Sequence, residues 1–179
     1  MNIPFFHRNL DEVSLHLNYT EDASDSTSWV KDVHFSICKK HTNQKVGECD
    51  LRLGMNDEIY YAGQVGYRIY YPFRGNSYAY KACLQLFEIA KKEYGMKELI
   101  ITCSPDNIPS LCTLQRLHGT LLETVDVPES HWLYQRGETV KCIYQYELKE
   151  QIIIQFITFV DTIYSFEIEM IEYNACEEY

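Results

Sequence analysis

Six consecutive residues, Arg74-Gly75-Asn76-Ser77-Tyr78-Ala79, stand where an apolar, strand-like run gives way to a helical one. The first turn of a helix leaves main-chain N–H groups without intrahelical acceptors, and the aligned peptide dipoles put about half a positive charge there. Gly75, Asn76 and Ser77 are small enough to let a phosphate approach the main chain. The joint is therefore either an ordinary strand–helix turn or an anion cradle, and these residues alone leave both open.

Periodicity supplies the elements around it. Residues 12–19 alternate Val13, Leu15, Leu17 and Tyr19 against Ser14, His16 and Asn18, the period of a half-buried strand. Strand signals return at Val33, Phe35 and Ile37, and at Cys49, Leu51 and Leu53, whose opposite face holds Glu48, Asp50 and Arg52. Asn56 to Glu58 reads as a turn before the next strand, Val65 to Tyr71. From Tyr78 the period is helical, with Ala79, Ala82, Cys83, Leu86 and Ala90 on one stripe and Gly95 placed to end it. Leu99 to Cys103 is a short continuous apolar run, as in a strand covered on both faces. Ser104 to Ser110 then breaks the chain and opens a second helix, roughly Pro109 to Leu117, and residues 121–127 and 139–148 are strands again. This order predicts an α/β (α+β) fold: a mixed, mostly antiparallel sheet of about seven strands around a parallel, right-handed strand–helix–strand unit, with helices packed on it.

Composition narrows the classes. The chain has 179 residues, 46% hydrophobic and 23% charged, which suits one packed domain. Its net charge of −10 is uneven, because residues 151–179 carry six acids and no Lys or Arg. An acidic chain without a basic cluster argues against nucleic-acid binding. No apolar run reaches the roughly 18 residues of a membrane span, and Met1 to Leu10 lacks the basic leader and apolar core of a secretory signal. A cytoplasmic location is expected. The seven cysteines form no CxxC pair and read as reduced, mostly buried thiols rather than a zinc site or disulfide framework.

Taken together, the run from Val65 to Gly119 resembles the core of the GNAT acetyltransferase superfamily. That family's loop, Gln/Arg-x-x-Gly-x-Gly/Ala, is matched by Arg74 and Ala79, with Ser77 in place of the middle glycine. Its Asn-x-x-Ser/Ala segment is matched by Asn107 and Ser110, followed by a short helix and Gly119. The resemblance covers about residues 46–148. Gly47 to Arg52 and Gly137 to Leu148 look like pieces of an uncharacterised bacterial branch of the superfamily.

The resemblance implies a GNAT fold, acetyl-CoA as co-substrate, no metal, and direct acetyl transfer to a primary amine in a ternary complex. Main-chain amides of Arg74, Gly75, Asn76, Ser77, Tyr78 and Ala79 would hold the pyrophosphate. The pantetheine arm would pair along Ile69 and Tyr70, touching Asn107 and Ser110, and an N–H near Ile69 to Tyr71 would polarise the acetyl carbonyl. The partner is an amine-bearing small molecule or protein. Three departures stand out. Ser77 replaces a glycine, which suits a negative φ or a hydroxyl that helps bind phosphate. Leu114 occupies the place of a tyrosine that, in many relatives, protonates the departing thiolate. Thr20 to Ser28 is too short for the helices that usually wall the acceptor site. The missing tyrosine, the short acceptor wall and the added tail motivate an alternative, a non-catalytic acyl-CoA-binding or interaction module with a degenerate GNAT fold.

An amine acceptor must lose a proton before it attacks. Glu48 and Asp50 are candidates to relay it through water, or they are simply the polar face of a half-exposed strand. Tyr70, with Tyr67 and Tyr71, offers a hydroxyl near the cofactor strand, or packs as sheet aromatics do. His131 and Tyr134 are further candidates for the acceptor side; His16 and His34 read as polar-phase strand residues. Residues 1–150 are expected to form the acetyltransferase domain. Residues 151–179 form an acidic, apolar extension that fits strand or helix and would cover its own domain, a sheet edge or a second subunit in a homodimer.

Overall fold

Strand and helix order follow the sequence reading in a computed structural model that describes residues 12–24 and 29–148. The extension 151–179, and the dimerisation expected of it, lie outside the described residues. Strands β1 (Val13–Glu21), β2 (Lys31–Lys39), β3 (Lys45–Leu53) and β4 (Val65–Ile69) form one antiparallel sheet in that order. Helix α1 (Asp57–Ala62) separates β3 from β4. A 3-10 turn (Tyr71–Phe73) and α2 (Tyr78–Tyr94) then lead to β5 (Glu98–Cys103). Helix α3 (Ile108–Arg116), β6 (Thr120–Asp126), the short α4 (Trp132–Gln135) and β7 (Val140–Glu147) complete the described chain. The last three strands make a second antiparallel sheet, ordered β5-β7-β6.

The expected parallel pairing is reduced to a single point. The Gln64 N–H donates to the Ile100 carbonyl at 2.7 Å, and the Gln64 side-chain oxygen accepts from the Ile100 N–H at 2.9 Å. No ladder joins β4 to β5 beyond it among the described residues, so the two sheets part there and β4 ends the first sheet with one edge open. A second difference is α1, where a turn was expected. Asn56 caps it, accepting from the Ile59 N–H at 2.9 Å, and Asp57 and Glu58 sit favourably at its positive end.

One sheet face carries the core. Ile37, Leu51, Leu86, Leu99, Ile101, Leu114 and Ile143 are fully buried, and α2 turns Ala82, Cys83, Leu86 and Ala90 onto the first sheet. Gly95 ends α2 in the left-handed conformation, its N–H donating to Lys91 while Met96 donates to Ala90. A bulge in β1 between Leu17 and Tyr19 breaks the expected alternation. It puts Tyr19 opposite His34, where the rings stack with centroids 4.3 Å apart, instead of on the apolar face.

Candidate functional site

The joint that follows β4 is built from three unusual backbone positions. Arg74 is extended, and Gly75 and Ser77 have φ of 79° and 55°. Gly75 has open space where a Cβ would be. The positive φ of Ser77 differs from the negative value expected; for a non-glycine residue it costs roughly 1 kcal/mol. Its hydroxyl is occupied from outside the loop, since Arg116 Nη1 at the end of α3 donates to Ser77 Oγ at 2.8 Å. The Arg116 guanidinium also lies over the Tyr80 ring, 4.3 Å from its centroid. Asn76 ties the loop down, its Nδ2 donating to the carbonyls of Phe73 and Arg74, both at 3.1 Å.

Ser77 therefore does not cap α2, and no acid sits in that helix's first turn. Among the described residues, none of Gly75 to Ala79 donates its N–H to a main-chain carbonyl. With Lys91 and Lys92 in its last turn, α2 keeps its positive end open toward the loop. Tyr78 departs from a plain loop role: it is buried, and its hydroxyl donates to Glu12. Ala79 is half-buried at the start of the helix.

Along β4 the pairing with β3 decides which groups remain available. Tyr70 N–H donates to the Val46 carbonyl at 2.9 Å, so that amide faces β3 and not the open edge. By alternation the main-chain groups of Tyr67 and Ile69 face outward, and Arg74 Nε already donates to the Ile69 carbonyl at 3.3 Å. Asn107 caps α3, its side chain accepting from the Ser110 N–H at 3.3 Å. Ser110 reaches back across the parting: its Oγ lies 2.8 Å from the Tyr67 hydroxyl. Burial drives the Tyr67 pKa far above that of a free phenol, with neighbouring Cys83 adding to the shift.

The three tyrosines are thus distinguished by their surroundings. Tyr67 stands in the fork, Tyr71 is exposed, and Tyr70 donates its hydroxyl to Glu48 Oε1 at 2.7 Å on the other face. Glu48 also accepts from Lys45 at 2.8 Å, and these two bonds hold its carboxyl below the usual carboxylate range. Asp50 pairs with Arg52 at 2.7 Å and lies directly over Gly66, where a Cβ would come within 2.5 Å of its Oδ1. Leu114 is fully buried in the core, and the Tyr146 hydroxyl donates to its carbonyl at 2.8 Å. His131 is buried rather than solvated: its Nδ1 accepts from the Leu133 N–H, and its Nε2 lies 3.0 Å from the Glu58 carboxylate.

Two sheets that part beside an open-edged strand, with an uncapped helix directly after it, define an acyl-CoA-type transferase fold. The chain belongs to the GNAT acetyltransferase family, whose profile for the acetyltransferase (GNAT) domain matches residues 3–120. Solved structures with this fold include a GNAT-family acetyltransferase from Bacillus anthracis, 18% identical, at TM-score 0.53 over 65% of this chain and 67% of that one. Another is a putative ribosomal-protein-serine acetyltransferase from Vibrio cholerae, 17% identical, at TM-score 0.51 over 65% of this chain and 64% of that one. A third is the ribosomal-protein-S5-alanine acetyltransferase of Vibrio fischeri, 14% identical, at TM-score 0.51 over 66% and 63%. The chain thus spans about two thirds of the length of these relatives, and no curated protein matches it. Among the described residues no helix is long and apolar enough to cross a membrane.

Arg116, Asp32, His34, Trp29 and Trp132 were not singled out as site residues in the sequence. Arg116 meets Ser77 across 39 positions, and nothing in the spacing of either residue signals the contact.

Proposed function

We propose that the protein is an acetyl-CoA-dependent N-acetyltransferase that transfers acetyl directly to a primary amine in a ternary complex. The observation that carries this reading is the uncapped, acid-free start of α2 behind Gly75 and Ser77, beside the open edge of β4. The amides from Arg74 to Ala79 hold the pyrophosphate, and the pantetheine arm runs past Ile69 and Tyr70 toward Asn107 and Ser110. Acetyl-CoA supplies the acyl group as a thioester. The chain's residues orient it and handle the protons.

Tyr67, hydrogen-bonded to Ser110 in the fork, takes the place left by Leu114. Its raised pKa keeps it protonated, so it stabilises the departing thiolate as a hydrogen-bond donor and does not lose its proton outright. On the opposite face Asp50, Glu48 and Tyr70 carry the amine's proton away through water. Glu48 is a weaker base than a free glutamate, because Lys45 and Tyr70 favour its charged form. Cytoplasmic location and a homodimer formed through residues 151–179 belong to the same reading, and light scattering on the full chain against a chain ending at residue 150 tests the latter.

Isothermal calorimetry with CoA and acetyl-CoA tests the cofactor site: the protein binds both, and absence of binding overturns the reading. Thiol release across a panel of primary amines then separates an enzyme from a carrier. CoA binding without turnover on any amine favours the non-catalytic alternative, which the loss of the tyrosine at Leu114 supports.

A further inference from the structure

The polar face of the first sheet holds a second cluster, built on three adjacent strands. Asp32 stands opposite Arg52, His34 opposite Asp50, and Asp50 opposite Gly66. Arg52 pairs with Asp50 at 2.7 Å, approaches Asp32 with its Nε at 3.6 Å, and donates to the Gly63 carbonyl at 2.8 Å. His34 Nε2 lies 3.5 Å from Asp32 and 3.8 Å from Glu21. Trp29 flanks the group, its ring 5.2 Å from the Arg52 guanidinium, and Trp132 meets Trp29 edge-on at 6.2 Å.

The cluster is incomplete. Asp32 is only 2% exposed, yet its Oδ1 makes no hydrogen bond. His34 Nε2, Asp50 Oδ2 and Arg52 Nε make no well-aligned hydrogen bond either, but each faces a charged neighbour within the cluster, at 3.5, 2.7 and 3.6 Å respectively. A buried polar group without a partner costs about 1–3 kcal/mol, so Asp32 Oδ1 indicates a donor that completes it. Three carboxylates meet here: Asp32 and Asp50 share the Arg52 guanidinium, and Glu21 and Asp32 flank the His34 imidazole. Burial and the Asp50 charge push the Asp32 pKa up, the direction expected where positive charge is short. A metal ion would sit against the Arg52 guanidinium. An ammonium meets that repulsion with a single charge, supplies a donor to Asp32 Oδ1, and gains from the rings of Trp29 and Tyr19.

We propose that the β1–β2 side of this cluster, Asp32 and Glu21, binds a second positive charge on the acceptor, an ammonium or guanidinium group carried by the same molecule as the amine that is acetylated, while Asp50 beside β4 serves the reacting amine. The inference rests on the acetyltransferase reading, which puts the reacting amine beside β4. Asp32 on β2 lies two strand spacings from β4, about 10 Å, so the two cationic groups of the acceptor are separated by about that distance. The preferred acceptor is a long diamine or a similar dication, and a monoamine of equal length is a poor one.

The chain's two tryptophans, Trp29 and Trp132, report on this site directly. Tryptophan fluorescence of the full chain is titrated with 1,8-diaminooctane and with 8-aminooctan-1-ol, without any CoA. The diamine binds about tenfold more tightly or better, as a charge-assisted hydrogen bond allows, and Asp32→Asn removes that preference. Glu21→Gln, at a side chain 56% exposed and safe for folding, weakens the diamine several-fold and leaves the amino alcohol unchanged. Equal binding of the two probes, or diamine preference surviving in both variants, overturns the proposal. Calorimetry with CoA on the same protein keeps the two readings apart. CoA binding without diamine preference sinks the cation site alone, whereas diamine preference without CoA binding sinks the acetyltransferase reading and leaves the cation site standing.

Discussion

The loop from Arg74 to Tyr78 and the Asp32–Asp50 cluster lie at opposite ends of β4 and are assembled in opposite ways. The loop is one contiguous stretch whose shape comes from its own backbone: Gly75 and Ser77 at positive φ, Asn76 bonding its neighbours, and a helix start left uncapped. The cluster takes residues from three strands and an aromatic wall from Trp29 before β2 and Trp132 at the start of α4, so it exists only through tertiary packing and cross-strand register. The loop's partners are mostly main-chain amides, which tolerate many side chains. The cluster's partners are charged side chains on different strands, and Arg52 is shared between Asp32 and Asp50. On the proposed function, cofactor recognition would be local and acceptor recognition distributed.

Four experiments probe that contrast. The largest effect is expected from Gly75→Glu, which adds a carboxylate where the pyrophosphate binds. CoA affinity should fall about 100-fold or more, as lost charge-assisted bonds imply, with an unchanged circular dichroism spectrum; retained affinity would mean that the loop is only a turn. Next, Arg116→Ala removes the one side chain that reaches the loop from α3. KM for acetyl-CoA should rise about tenfold with kcat nearly unchanged, and Arg116→Lys, which keeps the charge but not the stack on Tyr80, should recover part of it. An unchanged KM would make the loop self-sufficient and sharpen the contrast. Tyr67→Phe should lower kcat several-fold and leave KM unaltered, since only a hydrogen bond to the leaving group is lost; an equal change in both would make Tyr67 a binding residue.

The smallest effect concerns stability. The folded-state pKa of Asp32 is raised above its unfolded value, so the native state holds the extra proton more tightly. Its contribution is therefore present below the ordinary carboxylate pKa and is lost as pH rises through the folded value. Asp32→Asn should accordingly melt higher than the parent near pH 7, with the gap closing near pH 4. A parent that is the more stable at neutral pH would show that Asp32 is a structural ion pair and not a residue kept at a cost in stability.

How far the sequence could be read depended on whether contacts were local. Helix α2 was legible from Tyr78 to Gly95 because its apolar stripe and its terminating glycine lie within the helix itself. The loop and the Asn107–Ser110 segment were picked out for the same reason, being short-range patterns, although the capping role of Asn107 emerged only in the structure. Helix α1 was read as a turn, since six residues with an Asn cap resemble one. Tyr19 was assigned to the wrong face because a single bulge inverts everything beyond it. The Glu48 and Asp50 alternation was plain, but their unequal fates were not. Glu48 is held charged by Lys45 and Tyr70, whereas Asp50 shares Arg52 with a buried Asp32.

By itself the sequence pointed to the family, the order of the seven strands and two main helices, and a candidate cofactor loop, because each rests on residues a few positions apart and on the periods of 2 and 3.6. Only the tertiary structure decided that the two sheets part after a single bridge at Gln64, that Arg116 reaches Ser77, and that Asp32, His34, Asp50 and Arg52 form one incomplete cluster. Those features depend on strand register and on packing between distant segments. Both are set by the collective burial of the core, which no local pattern encodes.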